Sequence, residues 1–505
     1  MVAIRNSEFH IDKELIVCLL SSLAVGIAAH GSMLFNKFSW FDDLGNMTSI
    51  GMTWGLGRWM LGIIEAFIVK VLGTTLYSTP VFNGFFTLLC IGTASWILCR
   101  MLKIERTSEL VLLTGVLVVN PAVTSLFGYM FTAPAYGIGI LSMVAAAYLI
   151  CLGDKWKQAA GIFLAACSIG IYQADLSILL SVLCLFLMRE CLEQKLTKSE
   201  LIKSFLKKID AAVISLVIYL LCNRCFLAIR HSSLSDYQNV SSFGVTSPGM
   251  YLQRIVNAYQ QFFFPELKAS FNLYPGWMRT LYLLLLVLWG VLLIRYLRSD
   301  AERNTKAQVL LLNLLFPLAA GFIFVLTDFQ YTIMMYGLSF TFWMPVLLWD
   351  HLPEEIPNLK KAGIAGACIL LLGWCKYDNV CYLRAQFLQS EAISWFNTLI
   401  TRMEMTEGYS DSLPVAYIGS DHKSDENLYD LEPFDDVITA PYSEKSLIND
   451  NCWREIMKYW CGFDPEEADA SSFEELPEVK KMPSYPADGS IQVVKGTLVV
   501  KFSDQ

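Results

Sequence analysis

The chain has 505 residues, 55% of them hydrophobic and only 17% charged, with a mean hydropathy of +0.46 and a formal net charge of -8. Soluble domains carry roughly a quarter charged residues, so the composition excludes an ordinary soluble protein, and nothing in it is basic enough for nucleic acid. The acidity is local, because Asp and Glu concentrate after residue 400, in "EMTEGYSDS", "SDHKSDENLYDLEPFDD" and "FDPEEADASSFEELPE".

Ahead of the first apolar run stands the mixed-charge "IRNSEFHIDKE", with no small-residue cleavage site, so the run is expected to stay as a membrane anchor. Apolar runs recur at 15–35, 81–101, 108–126, 133–152, 159–172, 176–190, 209–229, 278–297, 307–326, 331–349 and 362–377. A run of about 20 apolar residues crosses about 30 Å of hydrocarbon, and the helix is the backbone solution open to it. The expected fold is an α-helical polytopic membrane protein of about eleven transmembrane helices. Lys and Arg favour the cytoplasmic side of short loops. "RMLKIER", "DKWK", "MRECLEQKLTKSELIKSFLKK", "RYLRSDAERNTK" and "NLKK" fall on the side of the N-terminus, while "NPAVTSLFGYMFTAP", "YQAD" and "TDFQ" contain no Lys or Arg. The N-terminus is therefore expected inside and the tail outside.

The first outer connection, 36–80, contains "FSWFDDLGNMTSIGMTWGLGRW", with Asp42 and Asp43 side by side, then "GRWMLGIIEAFIVKVLGTTLY", interrupted by Glu65 and Lys70. A charge at the bilayer centre costs roughly 2.5–3.5 kcal/mol, so this apolar stretch reads as a helix in the outer interface and not as a twelfth span. A second external loop, 230–277, should carry a short helix over 250–263 and cap a cavity. After the spans of 1–377, the tail 378–505 begins with an amphipathic helix on which Ala392, Trp395, Phe396, Leu399, Ile400 and Met403 share one face. "LPVAYIGS" reads as a buried strand and "SIQVVKGTLVVKF" as a hairpin turning at Lys495 and Gly496, which gives the tail a small α/β character. Most of the 14 cysteines lie in apolar runs and act as small hydrophobes, leaving Cys452 and Cys461 as the one pair placed to bridge.

Adjacent residues point about 100° apart on a helix, so Asp42 and Asp43 should divide their work. One can cap the short helix that follows while the other points into a cavity, in either order. Arg58 follows as a cation able to hold a phosphate, and Trp40, Trp54 and Trp59 can line a cleft or serve as an interfacial belt. Asp175 and Asp328, in short outer turns, can contact a sugar or cap the next helix. Arg230 and His231 open the long external loop as further phosphate candidates, and Lys376, Asp378 and Arg384 could border the site from the tail. No cluster of His and carboxylates has metal-ligand spacing, so no metal and no cofactor is expected, although the Asp pair could hold a divalent ion.

The first helix ending near an Asp-Asp pair, "GLGRW", "SIGIYQADLSILL" and "KYDNVCYLRAQ" together resemble the bacterial Gtr-type (type II) glucosyl transferase family of serotype-converting O-antigen glucosyltransferases. The layout also resembles the GT-C class of integral membrane glycosyltransferases. The resemblance implies a polyprenyl-phosphate-linked sugar donor, a surface polysaccharide or lipid-linked glycan acceptor, and an extracytoplasmic site in the bacterial inner membrane. It makes Asp42 or Asp43 the catalytic base, Arg58 the partner of the donor phosphate, and Tyr172 with Gln173 part of the lipid-facing site. The rival readings are a flippase for lipid-linked sugars and an O-antigen polymerase or ligase. A flippase usually shows internal repeats or ionisable residues at mid-span, whereas here the spans are almost free of central charges, Asn223 and Arg224 being the chief exception.

Overall fold

The computed structural model describes residues 12–38, 41–51, 53–193, 197–235, 246–265, 273–327, 330–352, 356–420, 442, 447–448 and 453–503. The chain divides into two compact units, one formed mainly by Met1–Lys37 and Thr48–Val380, the other by Phe38–Met47, Cys381–Asp435 and Pro441–Gln505.

The larger unit is helical. Its elements are α1 (Lys13–Leu34) and, after α2 (Phe41–Gly45) of the other unit, α3 (Trp59–Phe67), α4 (Pro80–Leu102), α5 (Thr107–Val119), α6 (Pro121–Phe127), α7 (Ala133–Cys151), α8 (Lys155–Ile171), α9 (Leu176–Leu192) and α10 (Lys198–Ile229). There follow α11 (Pro248–Phe263), α12 (Trp277–Arg298), α13 (Arg303–Ala320), α14 (Ile323–Leu326), α15 (Trp343–Asp350) and α16 (Pro357–Glu404). The ends are set by local chemistry. Asp12 and Asp154 accept hydrogen bonds from the first free N–H groups of α1 and α8, and Thr197 with Glu200 forms a capping box on α10. At Asn120–Pro121 the chain bends by 48° between α5 and α6: Pro121 removes a donor, and Asn120 accepts instead from Ala122 N–H at 2.9 Å.

In hydrocarbon no hydrophobic force drives helix onto helix, so close packing and cross-helix hydrogen bonds must hold the bundle. A Cβ on Gly84 would lie 2.0 Å from Leu34 Cδ2, and one on Gly161 2.7 Å from the Ala146 carbonyl. These glycines let α4 close on α1 and α8 on α7. Ser22 donates to the Leu88 carbonyl at 2.6 Å, and Ser95 and Thr114 hydroxyls meet at 2.7 Å.

Among the described residues seven helices are long and apolar enough to cross a membrane, or eight if the bent pair α5–α6 counts as one span. The eleven expected segments fall on helical stretches, but 307–326 is split between α13 and α14, and 331–349 is a 3-10 helix over Thr332–Phe342 before α15. Of those outside the seven or eight, α8 and α9 have 17 residues each and α13 has 18. The stretch read as an interfacial helix is helical over Trp59–Phe67 and the π-turn Ile68–Leu72, about 21 Å at 1.5 Å per residue, short of a hydrocarbon core.

The smaller unit holds a three-stranded sheet of β1 (Val415–Ile418), β2 (Ile491–Val494) and β3 (Thr497–Lys501), in the order β1-β3-β2. β1 runs parallel to β3, and β2 pairs antiparallel with it through a two-residue turn in which Lys495 (φ 50°) and Gly496 (φ 78°) take the left-handed conformations such hairpins need. One face of the sheet buries Val415, Leu498 and Val500 against Phe396, Leu399 and Met403 of α16 and Ile456 and Met457 of α17 (Trp453–Trp460). The other face packs Ala416, Ile418 and Val499 on Val479 and Phe473, from α19 (Pro477–Lys480) and α18 (Ser471–Glu474). Leu44 joins the first core, which is why α2, remote in sequence, belongs to this unit.

Candidate functional site

The segment 53–58 builds the polar centre of the helical unit. It turns tightly, with Gly57 N–H donating to the Trp54 carbonyl at 3.0 Å and Arg58 N–H to the Thr53 carbonyl at 2.8 Å. Gly57 sits at φ 73°, and a Cβ there would stand 2.8 Å from Tyr219 Oη and 3.2 Å from Gln173 Nε2. Backbone conformation and close approach both demand glycine.

The turn delivers Arg58 among phenols. Its guanidinium donates to Tyr136 Oη at 3.2 Å and lies 5.2 Å from the centroid of the Tyr172 ring, while those two rings stack 4.8 Å apart. Arg58 Nε is buried without a hydrogen-bond partner, and among the described residues no carboxylate pairs with the side chain. An arginine keeps its charge in any protein environment. A half-buried cation contacting only neutral groups is an incomplete arrangement that an anion would complete. Beside it Gln173 Nε2 donates to the Leu56 carbonyl at 2.7 Å and to Tyr219 Oη at 3.2 Å. One turn along α10 from Tyr219, buried Asn223 leaves its Oδ1 unpartnered.

An aromatic layer underlies the turn. Trp59 stacks on Phe226 at 5.4 Å, Trp54 lies 5.4 Å from the same ring, and exposed Arg230 covers Trp54 at 4.6 Å. His231 is exposed at φ 50°, ending the helical run of α10. Asp175 is buried: its Oδ2 accepts from Ser168 Oγ at 2.8 Å and approaches Gly139 of α7. Burial pushes this carboxyl up to about 8, against the opposing pull of the Ser168 hydrogen bond. Asp378 is buried too, accepting from Thr124 Oγ1 at 2.5 Å with His30 Nδ1 3.9 Å away. Lys376 is exposed.

In the smaller unit Asp42 and Asp43 occupy the first turn of α2. Asp42 is exposed, whereas Asp43 is fully buried next to core residue Leu44. Arg384 is buried and donates to the Tyr442 carbonyl. Trp40, Asp328 and Cys452 lie outside the described residues.

Of the residues singled out in the sequence, Arg58, Tyr172 and Gln173 come together. Tyr136, Tyr219 and Asn223 complete the cluster and were not singled out as partners. The one signal for the last two is their spacing of four in the second, more apolar half of α10, which puts both polar tips on one face. Tyr136 gives no such signal.

The family model described as Glucosyl transferase GtrII matches residues 31–342, a stretch that includes Asp42, Asp43, Arg58 and every member of this cluster. No curated protein and no solved structure matches the chain.

Proposed function

The chain belongs to the glucosyl transferase GtrII family, and from that premise we propose that it moves a hexose, glucose by family, from a polyprenyl-phosphate carrier to a bacterial surface polysaccharide on the extracytoplasmic side of the inner membrane. The observation that carries the donor assignment is Arg58, a half-buried guanidinium among Tyr136, Tyr172 and Tyr219 with no carboxylate partner among the described residues. A sugar phosphodiester supplies the missing anion. As the sugar–phosphate bond breaks, charge grows on the leaving phosphate, and a preplaced guanidinium stabilises it in the transition state.

The acceptor hydroxyl is a poor nucleophile until a carboxylate takes its proton. Asp42 is the proposed base, supported by its exposure, while buried Asp43 holds α2 in its core. The hydroxyl oxygen attacks the anomeric carbon, its proton passes to Asp42, and the bond to polyprenyl phosphate leaves with its electron pair. Displacement in one step inverts the anomeric centre.

The test is transfer from radiolabelled polyprenyl-phosphate glucose to envelope polysaccharide in proteoliposomes. Wild type should transfer, and Asp42→Asn should lose about 10²–10⁴-fold in turnover while still binding donor. Full activity in Asp42→Asn removes the base assignment, and donor crossing the bilayer without sugar transfer replaces the enzyme by a flippase.

A further inference from the structure

The helix α10 has 32 residues, about 48 Å of helix, against about 30 Å of hydrocarbon to cross. Its exposed apolar side chains form a stripe from Ile202 (50% exposed) and Leu206 (53%) through Ile209, Val213, Val217 and Leu220 to Leu221, ending before Arg224 and interrupted on the same face by exposed Asp210. That stripe is about 28 Å long, one hydrocarbon thickness. Lys198, Lys203 and Lys207, all exposed, flank its lower end.

A second element reaches the same level. Lys208 of α10 lies 5.1 Å over the Phe186 ring near the end of α9, whereas Tyr219 meets Gln173 just past the end of α8, so α8 and α10 run in the same direction. Trp156 and Ile202 each stand seventeen residues upstream of that Gln173–Tyr219 bond, placing both about 25 Å below it. Trp156 is 85% exposed and sits between exposed Lys155 and Lys157. Neither these two lysines nor Lys207 has an ion-pair partner among the described residues; the acidic neighbours are Asp154, which caps α8, Glu200, in the capping box beside Lys203, exposed Asp210, and at the end of α9 Glu190, 4.0 Å from Lys208, and Glu193, paired with Arg189 and Lys103.

We propose that the first turns of α8 and α10 form a binding surface for anionic phospholipid headgroups in the leaflet at that end of the bundle. Charge complementarity and the apolar stripe select this occupant. The stripe lies in acyl chains, the Trp156 ring sits at the headgroup boundary, and the lysine stems lie along the apolar surface so that their ammonium groups reach phosphates. The proposal is independent of the transfer reaction.

The full chain would be reconstituted in nanodiscs of phosphatidylglycerol and phosphatidylcholine, and the phosphatidylglycerol retained on extraction measured by mass spectrometry. Wild type should retain it preferentially. The Lys155→Gln, Lys157→Gln, Lys203→Gln, Lys207→Gln combination should lower that preference roughly tenfold or more, and the matching four-arginine variant should restore it. Trp156 emission, taken as wild type minus Trp156→Phe, should be quenched by brominated phosphatidylglycerol more than by brominated phosphatidylcholine. Unchanged preference in the glutamine variant overturns the proposal. Competition by millimolar glycerol phosphate overturns it as well, since the surface would then be a site for soluble phosphate. If the glutamine variant misfolds, equal quenching by the two brominated lipids in wild type decides against it.

Discussion

Two charged regions of the helical unit treat burial in opposite ways. Where α5, α15 and α16 meet, buried Glu109 lies 2.6 Å from Lys360, which also reaches Asp350 at 3.0 Å, and Arg106 bridges Asp350 at 3.0 Å and Glu109 at 3.4 Å. Every charge there is answered by the protein itself. At Arg58 the neighbours are phenols, with no paired carboxylate among the described residues. The first region closes an electrostatic account inside the fold and serves stability. The second is left short of one negative charge, and that shortfall is the ground on which the donor phosphate is proposed there. Asp175 shows a third solution, in which a buried carboxyl is neutralised by keeping its proton.

The sharpest way to break this contrast is to remove each charge in turn. Arg58→Met should cut sugar transfer by about 10²–10³-fold, because a preplaced cation at developing charge is lost. It should leave the melting temperature unchanged or higher, since an uncompensated half-buried cation is lost too. A large drop in melting temperature would make Arg58 structural and void the comparison. Gly57→Ala should follow, with transfer reduced and stability lowered by about 1–3 kcal/mol in thermal melts, because the new Cβ meets Tyr219 in a left-handed backbone.

Glu109→Gln should do the reverse of Arg58→Met. The half-paired Lys360 it leaves behind should cost about 1–3 kcal/mol in a detergent melt, while initial transfer rates stay within about twofold. The smallest effect is a pH slope. The Asp175 carboxyl is raised from its usual value to about 8, so the folded state holds a proton that the unfolded chain releases. Its contribution is complete below pH 4 and is lost as pH rises through 8, and Asp175→Asn should flatten that fall in melting temperature. An equal slope in both proteins would place the titrating group elsewhere.

How much of this was legible differs from element to element. The helical segments could be read because burial in hydrocarbon demands long apolar runs, and the Lys495–Gly496 hairpin because a two-residue turn leaves few residue choices. Arg58 stood out as a cation in an apolar stretch, with Tyr172 and Gln173 brought in by resemblance. Tyr136 did not, because a tyrosine in an apolar helix looks the same whether its hydroxyl faces lipid headgroups or a guanidinium. Asp42 and Asp43 are indistinguishable as letters; the core around Leu44 exposes one and buries the other.

The sequence by itself determined a helical, membrane-compatible chain with an acidic tail, and its short motifs pointed to a glucosyl transferase family, because composition and local spacing act through neighbours in the chain. Only the tertiary structure decided that Phe38–Met47 folds with the tail, that α16 runs unbroken for 48 residues, and that Arg58 lies among Tyr136, Tyr172 and Tyr219. Those outcomes depend on contacts between segments tens to hundreds of residues apart, and such contacts leave no local periodicity to read.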